Sequence, residues 1–266
     1  DLILHLAAQV AVTCAIDDPR TDFEVNAMGT LNVVEAARAS GLDPVVLYAS
    51  TNKVYGTLDA VPVARGDTRY RLLTRSGGIS EDQPFDPHTP YGCSKGAGDR
   101  YVVDYHRTYG LPTVVLRQSC IYGPRQLGTE EQGWVAWFVS RAALGRTVTI
   151  YGDGRQVRDL LYIDDLLDAY DTAVDHIDRT AGRIYNLGGG PAFSTSVWHE
   201  FAPLLEAAVG RPVEATFDRW RPGDQKVFVS DITRFARDTG WHPRVAPDAG
   251  VRRLADWVVA NRHLFL

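Results

Sequence analysis

The sequence predicts an α/β protein with a doubly wound, mostly parallel sheet and a smaller C-terminal lobe. Short apolar runs typical of buried strands alternate with longer amphipathic segments, and polar residues follow the ends of several runs. This alternation indicates crossover connections between parallel strands, with helices on both faces of the sheet. The 266 residues, 45% of them hydrophobic, allow one large unit or two interleaved units with a substantial core.

The first elements follow from local patterns. Residues 2–6 form an apolar run bounded by small residues, which predicts a strand buried on both faces. Apolar residues recur at helical spacing over residues 22–39. Residues 45–49 predict the next buried strand, and Ser50 and Thr51 follow it directly. Ligands of open α/β sheets bind outside the carboxyl ends of strands, so we expect both side chains at a binding site.

A long polar segment separates this strand from the next helix. Residues 56–90 span about thirty-five positions, which exceeds ordinary loops in compact domains. We expect a flap over the ligand-binding edge, with a surface insertion as the alternative. The remaining predicted elements are helices at 91–109, 134–144, 163–174, 197–209 and 252–261, and strands at 113–117, 148–150 and 184–187.

Tyr91 and Lys95 lie four residues apart in a predicted helix, so their side chains share one face. A tyrosine ordinarily titrates near pH ~10, but a neighbouring positive charge favours the phenolate. The pair is therefore suited to act as a base in hydride-transfer chemistry beside a nicotinamide. The spacing alone is common, and a solvated helix face is the alternative.

Small and polar residues follow the first predicted strand. Ala7, Ala8 and Gln9 would let a ligand approach the backbone closely, although simple helix–strand packing is the alternative. Asn26 lies inside the first predicted helix, where asparagine costs stability, which indicates a packing or hydrogen-bonding role.

Charge and cysteine content argue against several classes of protein. The net charge is −5 and no run of Lys or Arg could follow a phosphate backbone, so we expect no nucleic-acid partner. Cys14, Cys93 and Cys120 are odd in number and widely spaced, which argues against a disulfide framework or a zinc site. A reducing cytoplasm fits this pattern. No apolar run approaches the ~20 residues that cross a bilayer, so no membrane partner is expected.

Taken in order, the motifs resemble the extended short-chain dehydrogenase/reductase family, which contains NAD-dependent nucleotide-sugar epimerases and dehydratases. They cover nearly the whole chain: His5-Leu6-Ala7-Ala8, Asn26-x-x-Gly29-Thr30-x-Asn32, Ser50-Thr51-x-x-Val54-Tyr55-Gly56, Tyr91-x-x-x-Lys95, Tyr122-Gly123-Pro124, Arg158-Asp159 with Tyr162-Ile163-Asp164-Asp165, and Arg221-Pro222-Gly223-Asp224. The resemblance implies a Rossmann-like fold. Residues 1–124 would belong to the NAD-binding domain and 125–266 mainly to a substrate-binding lobe, with roughly 160–190 returning to the sheet.

The resemblance also implies roles for individual residues. Tyr91 would be the catalytic base, Lys95 would lower its pKa and hold the nicotinamide ribose, and Thr51 would hydrogen-bond the reacting oxygen. The NAD cofactor would contact Tyr91 and Lys95 together with Ala7, Ala8, Gln9, Asn26, Ser50 and Gln118. The substrate would contact Thr51, Ser119, Cys120, Arg158, Arg221 and Asp224.

Arg158 and Arg221 would hold the diphosphate of the substrate, because a guanidinium binds phosphate oxygens in pairs. A surface ion pair is the alternative for either arginine. Asp224 would meet a ribose hydroxyl.

The implied reaction is epimerisation of a nucleotide-diphosphate sugar through a transient ketone and one retained NAD. Dehydratases of the family carry Asp-Glu directly after the catalytic threonine, whereas Asn52 and Lys53 here cannot supply that carboxylate chemistry. Residues 50–56, 90–96 and 117–126 are most similar to a subfamily of CDP-sugar 2-epimerases, which favours a CDP-sugar. The alternatives are a 4-epimerase, another sugar-nucleotide oxidoreductase, or a non-catalytic NAD-binding relative.

One family motif is not found near the start of this chain. In the family, a Gly-x-x-Gly-x-x-Gly loop, three strands and an acidic residue precede the strand that begins here, so the resemblance implies about seventy further residues before it. The resemblance is also compatible with a homodimer formed through the helix of Tyr91 and Lys95. Tyr101, Val102, Tyr105 and Tyr109 suit either that interface or an ordinary core.

Overall fold

The computed structural model describes residues 1–265. Its strands are β1 (Leu2–His5), β2 (Val45–Thr51), β3 (Val63–Arg65), β4 (Tyr70–Leu72), β5 (Thr113–Gln118), β6 (Ile121–Tyr122), β7 (Val148–Tyr151), β8 (Val157–Asp159), β9 (Leu161–Tyr162), β10 (Arg183–Leu187), β11 (Ser194–Ser196), β12 (Ala215–Asp218) and β13 (Val227–Phe228). Its α-helices are α1 (Val12–Asp17), α2 (Pro19–Phe23), α3 (Gly29–Ala39), α4 (Thr89–Tyr109), α5 (Trp134–Ala143), α6 (Ile163–Asp175), α7 (Ile177–Thr180), α8 (Phe201–Val209), α9 (Thr233–Thr239) and α10 (Pro247–Ala260). A π-helical turn (Glu24–Met28) joins α2 to α3, and a 3-10 turn (Asn52–Tyr55) follows β2.

The main sheet confirms the predicted fold class. Its strands are parallel in the order β1-β2-β5-β10, and helices lie against it. β2 and β5 occupy the centre and contain the β-branched and leucine side chains that suit strands covered on both faces. Val46, Leu47, Val114 and Leu116 are almost completely buried. The architecture is therefore a Rossmann-like parallel sheet with a separate cluster of smaller sheets formed by C-terminal strands.

β1 differs from the expectation that it is buried on both faces. Leu2 and Leu4 are 44% and 43% exposed, and only His5 within the strand is buried. The reason is that β1 pairs with β2 alone, so it forms the edge of the sheet, and no element within residues 1–265 covers these leucines.

The predicted helix at 197–209 begins later, at Phe201. The amides of Val197 and Trp198 donate hydrogen bonds to the carbonyls of Gln156 and Gly154, so this part of the chain still runs beside β8. The last helix begins earlier than predicted, at Pro247, because proline is favoured at the first helical position.

The long polar segment at 56–90 contacts both parts of the structure: its hairpin lies on the C-terminal lobe, and residues 79–88 pack against β10, α4 and the turn after β2. It contains the β3–β4 hairpin, whose apolar side chains pack against Val157, Val227 and Val229. Arg69 also forms an ion pair with Glu200. None of its residues lines the cavity beside β2 described below. The expectation that this segment forms a flap over the substrate stays a prediction.

The C-terminal lobe has its own apolar core, formed mainly by α5, α8 and α10 around β7. Two further clusters cover the faces of the main sheet, one against α3 and α4 and the other against α6 and α9. Within residues 1–265, no helix is both long enough and apolar enough to cross a bilayer.

A buried polar network joins the central strands to α4. Arg117 donates from Nε and Nη2 to the two carboxylate oxygens of Asp99, at 2.8 and 2.9 Å, and from Nη1 to the Tyr55 hydroxyl at 3.0 Å. Ser50 donates to Asp99, and Tyr55 donates to the side chain of Asn186. The network thus links β2, the turn after it, α4, β5 and β10 in the interior, where an unpaired charge would be costly.

We expect Arg117→Met to lower the free energy of unfolding by about 3–5 kcal/mol, because it leaves the buried Asp99 carboxylate without its cation. Urea denaturation at neutral pH measures the change. The matched control is Arg179→Met, which breaks an exposed pair with Asp178 and should cost less than about 0.5 kcal/mol. Equal effects of the two substitutions would contradict the role of the network.

His5 makes stability depend on pH. Its ring shares a 2.9 Å hydrogen bond with the Thr30 hydroxyl, and burial, followed by the charge of Lys95, lowers its pKa to about 4 from an ordinary 6.5. Between pH 4 and 6.5 the unfolded chain therefore binds more protons than the folded protein. The free energy of unfolding consequently decreases as the pH falls through that window.

We expect His5→Gln to flatten the pH dependence of unfolding between pH 4 and 6.5. Across this window, the free energy of unfolding of the unsubstituted protein should change by about 1–2 kcal/mol more than that of His5→Gln, with solvent screening taken into account. Denaturant titrations at several pH values measure it. Parallel curves for the two proteins would contradict the assigned role of His5.

Candidate active site

The carboxyl ends of the parallel strands meet at one edge of the sheet, and the predicted catalytic residues lie there. β2 ends at Thr51, and α4 begins two residues before Tyr91, so the packing of α4 beside β2 brings Thr51, Tyr91 and Lys95 together. The three residues are 7%, 9% and 3% exposed. A helix and a strand that are distant in sequence thus form one cluster of reactive side chains.

The Lys95 ammonium is held by the backbone of β2. Its Nζ donates to the Ala49 carbonyl at 2.6 Å and lies 4.4 Å from the centre of the Tyr48 ring. Burial lowers the pKa of Lys95 to about 8, while the carboxylates of Asp99 and Asp22 act in the opposite direction. The ammonium therefore has a fixed position beside the end of the strand.

The pKa of Tyr91 is shifted in the direction opposite to the one expected from its spacing to Lys95. Burial raises it, the hydrogen bond with Thr51 lowers it, and the charge of Asp22 raises it further. The difference arises because burial, the largest cause, disfavours the charged phenolate. A positive charge close to a phenol favours the phenolate, so the nicotinamide of oxidised NAD, if held beside Tyr91 as predicted, would shift this pKa in the direction that base catalysis needs.

Hydrogen bonds fix the segment after β1 against the helices. The amide of Gln9 donates to the Asn26 side chain at 2.9 Å, and Asn26 Nδ2 lies 3.0 Å from the Gln9 carbonyl and 3.1 Å from the Ser94 hydroxyl. The side-chain oxygen of Gln9 is buried without a hydrogen-bond partner among the described residues, as is one oxygen of Asp22. An orphaned amide oxygen at this edge suits a donor from a bound ligand.

The other predicted cofactor residues differ in burial and in the hydrogen bonds that they form. Ala7 is exposed and Ala8 is half-buried at the end of β1, and neither side chain obstructs a ligand. Ser50 is buried and donates to Asp99, while Gln118 donates to the hydroxyl of Tyr170. The residues at this edge fit the nicotinamide half of NAD, with Tyr91 and Lys95 on one side and the end of β1 on the other. Their contacts with NAD stay a prediction.

A cavity of 260 Å³ is lined by Asn52 and Lys53, the two residues that follow Thr51, together with residues of the C-terminal lobe. Cys120, Arg158, Arg221 and Asp224 all line it, so four predicted substrate residues from distant parts of the chain are brought together. Its wall also contains residues that were not predicted as substrate contacts: Thr13, Asn52, Lys53, Glu130, Glu131, Trp134, Trp137 and Tyr151. The mixture of aromatic and charged side chains suits a ligand with both a ring system and anionic groups.

Ser119 and Cys120 are adjacent in sequence but differ in burial and in their hydrogen-bond partners. Ser119 is 2% exposed and donates to Asp159 at 2.9 Å, so its hydroxyl is already committed within the interior. Cys120 has a φ of 37°, which is unusual for a residue other than glycine, and its Sγ accepts a hydrogen bond from the Trp134 indole at 3.3 Å. Backbone strain of this kind is concentrated at functional sites.

The two predicted phosphate-binding arginines are paired with carboxylates. Arg158 donates to Asp224 at 2.5 Å, so Asp224 contacts a cation in this structure. Arg221 lies 3.4 Å from Glu131 and stacks 3.9 Å above the Tyr151 ring. Both guanidinium groups face the cavity, where phosphate oxygens could replace a carboxylate as the acceptor.

Sequence reasoning did not assign the aromatic and acidic lining from residues 130–137. The signal was present, because this segment combines two acids, a glycine and two tryptophans just before a predicted helix. From the sequence, Lys53 was considered only as a replacement for a carboxylate of the dehydratases. Its contact with Gly223, 170 residues away, has no local signature in the sequence.

Comparisons with known proteins agree with this geometry. Residues 1–188 match the profile of the NAD dependent epimerase/dehydratase family. The chain is 42% identical to CDP-paratose 2-epimerase of Salmonella typhi over 97% of its length and 77% of that protein. It is 36% identical to UDP-glucose 4-epimerase of Mycolicibacterium smegmatis, over 97% of the chain and 75% of the relative.

Its fold superposes on UDP-glucose 4-epimerase of Thermus thermophilus in complex with NAD, with a TM-score of 0.79. That structure is 32% identical in sequence, and the match covers 96% of this chain and 76% of the other. On its sequence, its parallel sheet and these relatives, the chain belongs to the NAD-dependent epimerase/dehydratase family.

Proposed function

We propose that this protein epimerises a nucleotide-diphosphate sugar with NAD, and that the sugar is CDP-linked, as in the conversion of CDP-paratose to CDP-tyvelose. The observation that carries the proposal is the cluster of Thr51, Tyr91 and Lys95 at the end of β2, followed directly by Asn52 and Lys53, which line a cavity together with two arginines. The 42% identity to a CDP-paratose 2-epimerase supports the choice of nucleotide and of reaction.

The residues at the sheet edge can perform the proton transfers of such a reaction. Tyr91 accepts the proton of the sugar hydroxyl as base and returns it when the ketone is reduced again. The Thr51 hydroxyl donates to the same oxygen, and Lys95 keeps a positive charge near the base. When bound, NAD supplies the acceptor for the hydride and later its source, so no external redox partner is consumed.

Asn52 and Lys53 favour epimerisation over dehydration. Elimination of water needs an acid and a base near the sugar, and no carboxylate follows Thr51 at these positions. The acids that line the cavity are Glu130, Glu131 and Asp224, and each contacts Tyr151 or an arginine. The Asp-Glu pair that dehydratases of the family carry after the catalytic threonine therefore has no counterpart at Asn52 and Lys53.

We expect the purified protein to release NAD on denaturation and to interconvert CDP-paratose and CDP-tyvelose. Tyr91→Phe should lower kcat by about 10²–10⁴-fold because it removes the proton carrier. Tyr101→Phe, on an exposed position of the same helix, is the matched control and should retain the rate. Chromatography of the nucleotide sugars at equilibrium measures both.

Turnover of UDP-glucose to UDP-galactose, with CDP-paratose unchanged, would replace the CDP-sugar assignment by a 4-epimerase. No interconversion of any nucleotide sugar in the presence of bound NAD would contradict the proposed function as a whole.

A homodimer through α4 is also part of the proposal. Tyr101 and Tyr109 are 46% and 53% exposed on this helix, whereas Val102 and Tyr105 are buried in the core of the same chain. Only the first two are therefore available to a partner. We expect light scattering to give the mass of a dimer and Tyr101→Arg to shift it towards the monomer. A monomeric unsubstituted protein at assay concentrations would contradict this interface.

A further inference from the structure

Three hydrogen bonds connect the catalytic turn after β2 with the segment 221–225. Lys53 Nζ donates to the Gly223 carbonyl at 3.1 Å, and Asn52 Nδ2 lies 3.5 Å from Gln225 Oε1. The Gln225 amide group in turn donates to the Gly56 carbonyl at 2.5 Å. The turn that begins at Thr51 and the segment that carries Arg221 and Asp224 are thus joined, although they lie about 170 residues apart.

The Lys53 ammonium is the strongest donor in this connection. Of the cations that line the cavity, Arg158 and Arg221 are paired with carboxylates. Lys53 is half-buried, and among residues 1–265 it has no carboxylate within salt-bridge distance, so its hydrogen bond goes to a backbone carbonyl. Hydrogen bonds from a charged donor are about twice as strong as those between neutral groups. Burial lowers the pKa of Lys53, and the nearby Asp224 opposes this shift.

The shape of the segment depends on the glycine that accepts this hydrogen bond. Gly223 has a φ of 71°, in the left-handed region that favours glycine. A methyl group in place of its hydrogen would lie 3.0 Å from the side-chain methyl of Thr89, the first residue of α4. The tip of the segment therefore fits between the Lys53 ammonium and the beginning of the helix that carries Tyr91.

The same turn also orients the catalytic hydroxyl. Thr51 caps the 3-10 turn, and its Oγ1 accepts a hydrogen bond from the Lys53 amide at 3.2 Å. Lys53 thus contacts the catalytic threonine through its backbone and the substrate segment through its side chain.

We propose that Lys53 is a positioning residue that clamps the segment 221–225 onto the catalytic turn, so that Arg221 and Asp224 are held over the cavity beside Thr51. Part of this inference rests on the proposed function, because the benefit of the clamp is the placement of groups that would bind the nucleotide-diphosphate sugar. The clamp itself is a property of the protein without substrate. In this chain, the position that carries a catalytic carboxylate in dehydratases of the family serves instead to hold a loop.

The test compares Lys53→Met with the unsubstituted protein in two measurements. The first is amide hydrogen exchange of residues 219–225 in the protein without substrate, read by mass spectrometry. The second is the separation of KM from kcat in the epimerase assay. We expect Lys53→Met to raise exchange in this segment and to raise KM by about 10-fold or more, as loss of one hydrogen bond to a charged group implies, with a smaller change in kcat.

Two further substitutions separate a clamp from a general defect in folding. Lys53→Arg keeps a charged donor of similar reach and should restore much of the protection. Gly223→Ala leaves the lysine in place but displaces the acceptor, so it should have the same effect as Lys53→Met, and the double variant should be no worse than either alone. Lys226→Met, an exposed lysine whose ammonium lies 5.7 Å from the Tyr70 ring, is the matched control and should change neither measurement.

Unchanged exchange in Lys53→Met would overturn the clamp, whatever the kinetics show. A fall in kcat with unchanged exchange would also overturn it, because Lys53 would then act on the chemical step. Absence of turnover in the unsubstituted protein would contradict the proposed function instead, and the exchange measurement would still decide whether Lys53 holds the segment.

Discussion

The ion pair between Arg117 and Asp99 is the interaction on which the site depends most. It crosses the interior from β5 to α4, and Ser50 and Tyr55 complete its hydrogen bonds from β2 and the turn after it. A buried pair is retained only when the surrounding groups satisfy both ions, so the positions of β2, β5 and α4 are mutually constrained. Because Thr51 lies on β2 and Tyr91 on α4, the same constraint sets the distance between their side chains, which we propose are catalytic.

The C-terminal lobe contributes charged and aromatic side chains to the cavity near this edge of the sheet. Its cavity contains as many acids as cations, and most of them are paired with one another across segments that are distant in sequence. Such ion pairs hold charged side chains in fixed positions at a modest cost in free energy. A diphosphate can replace the carboxylate on an arginine, and the guanidinium then still has an anionic partner. The clamp by Lys53 connects the two parts, because it joins the loop of Arg221 to the turn of Thr51.

Much of the fold was predictable because parallel strands and their helices have strong local patterns. The spacing of Tyr91 and Lys95, and the polar residues after β2, indicated the edge of the sheet at which Thr51, Tyr91 and Lys95 meet. The exposure of β1 was not predictable, since an apolar run does not reveal whether its strand lies at an edge. The pKa direction of Tyr91 was missed because the spacing to Lys95 does not reveal how strongly burial of the phenol opposes its ionisation. The contact of Lys53 with Gly223 likewise depends on the folded chain alone.

In the proposed reaction, Thr51, Tyr91 and Lys95 move protons for a hydride that leaves the sugar and returns to it. Epimerisation of a nucleotide sugar in heavy water, followed by mass spectrometry and NMR of the product, tests this path. We expect an epimerised product without solvent deuterium at the inverted carbon, since the hydride stays with the retained cofactor. Deuterium at that carbon would contradict it, because the inversion would then proceed by removal and return of a proton.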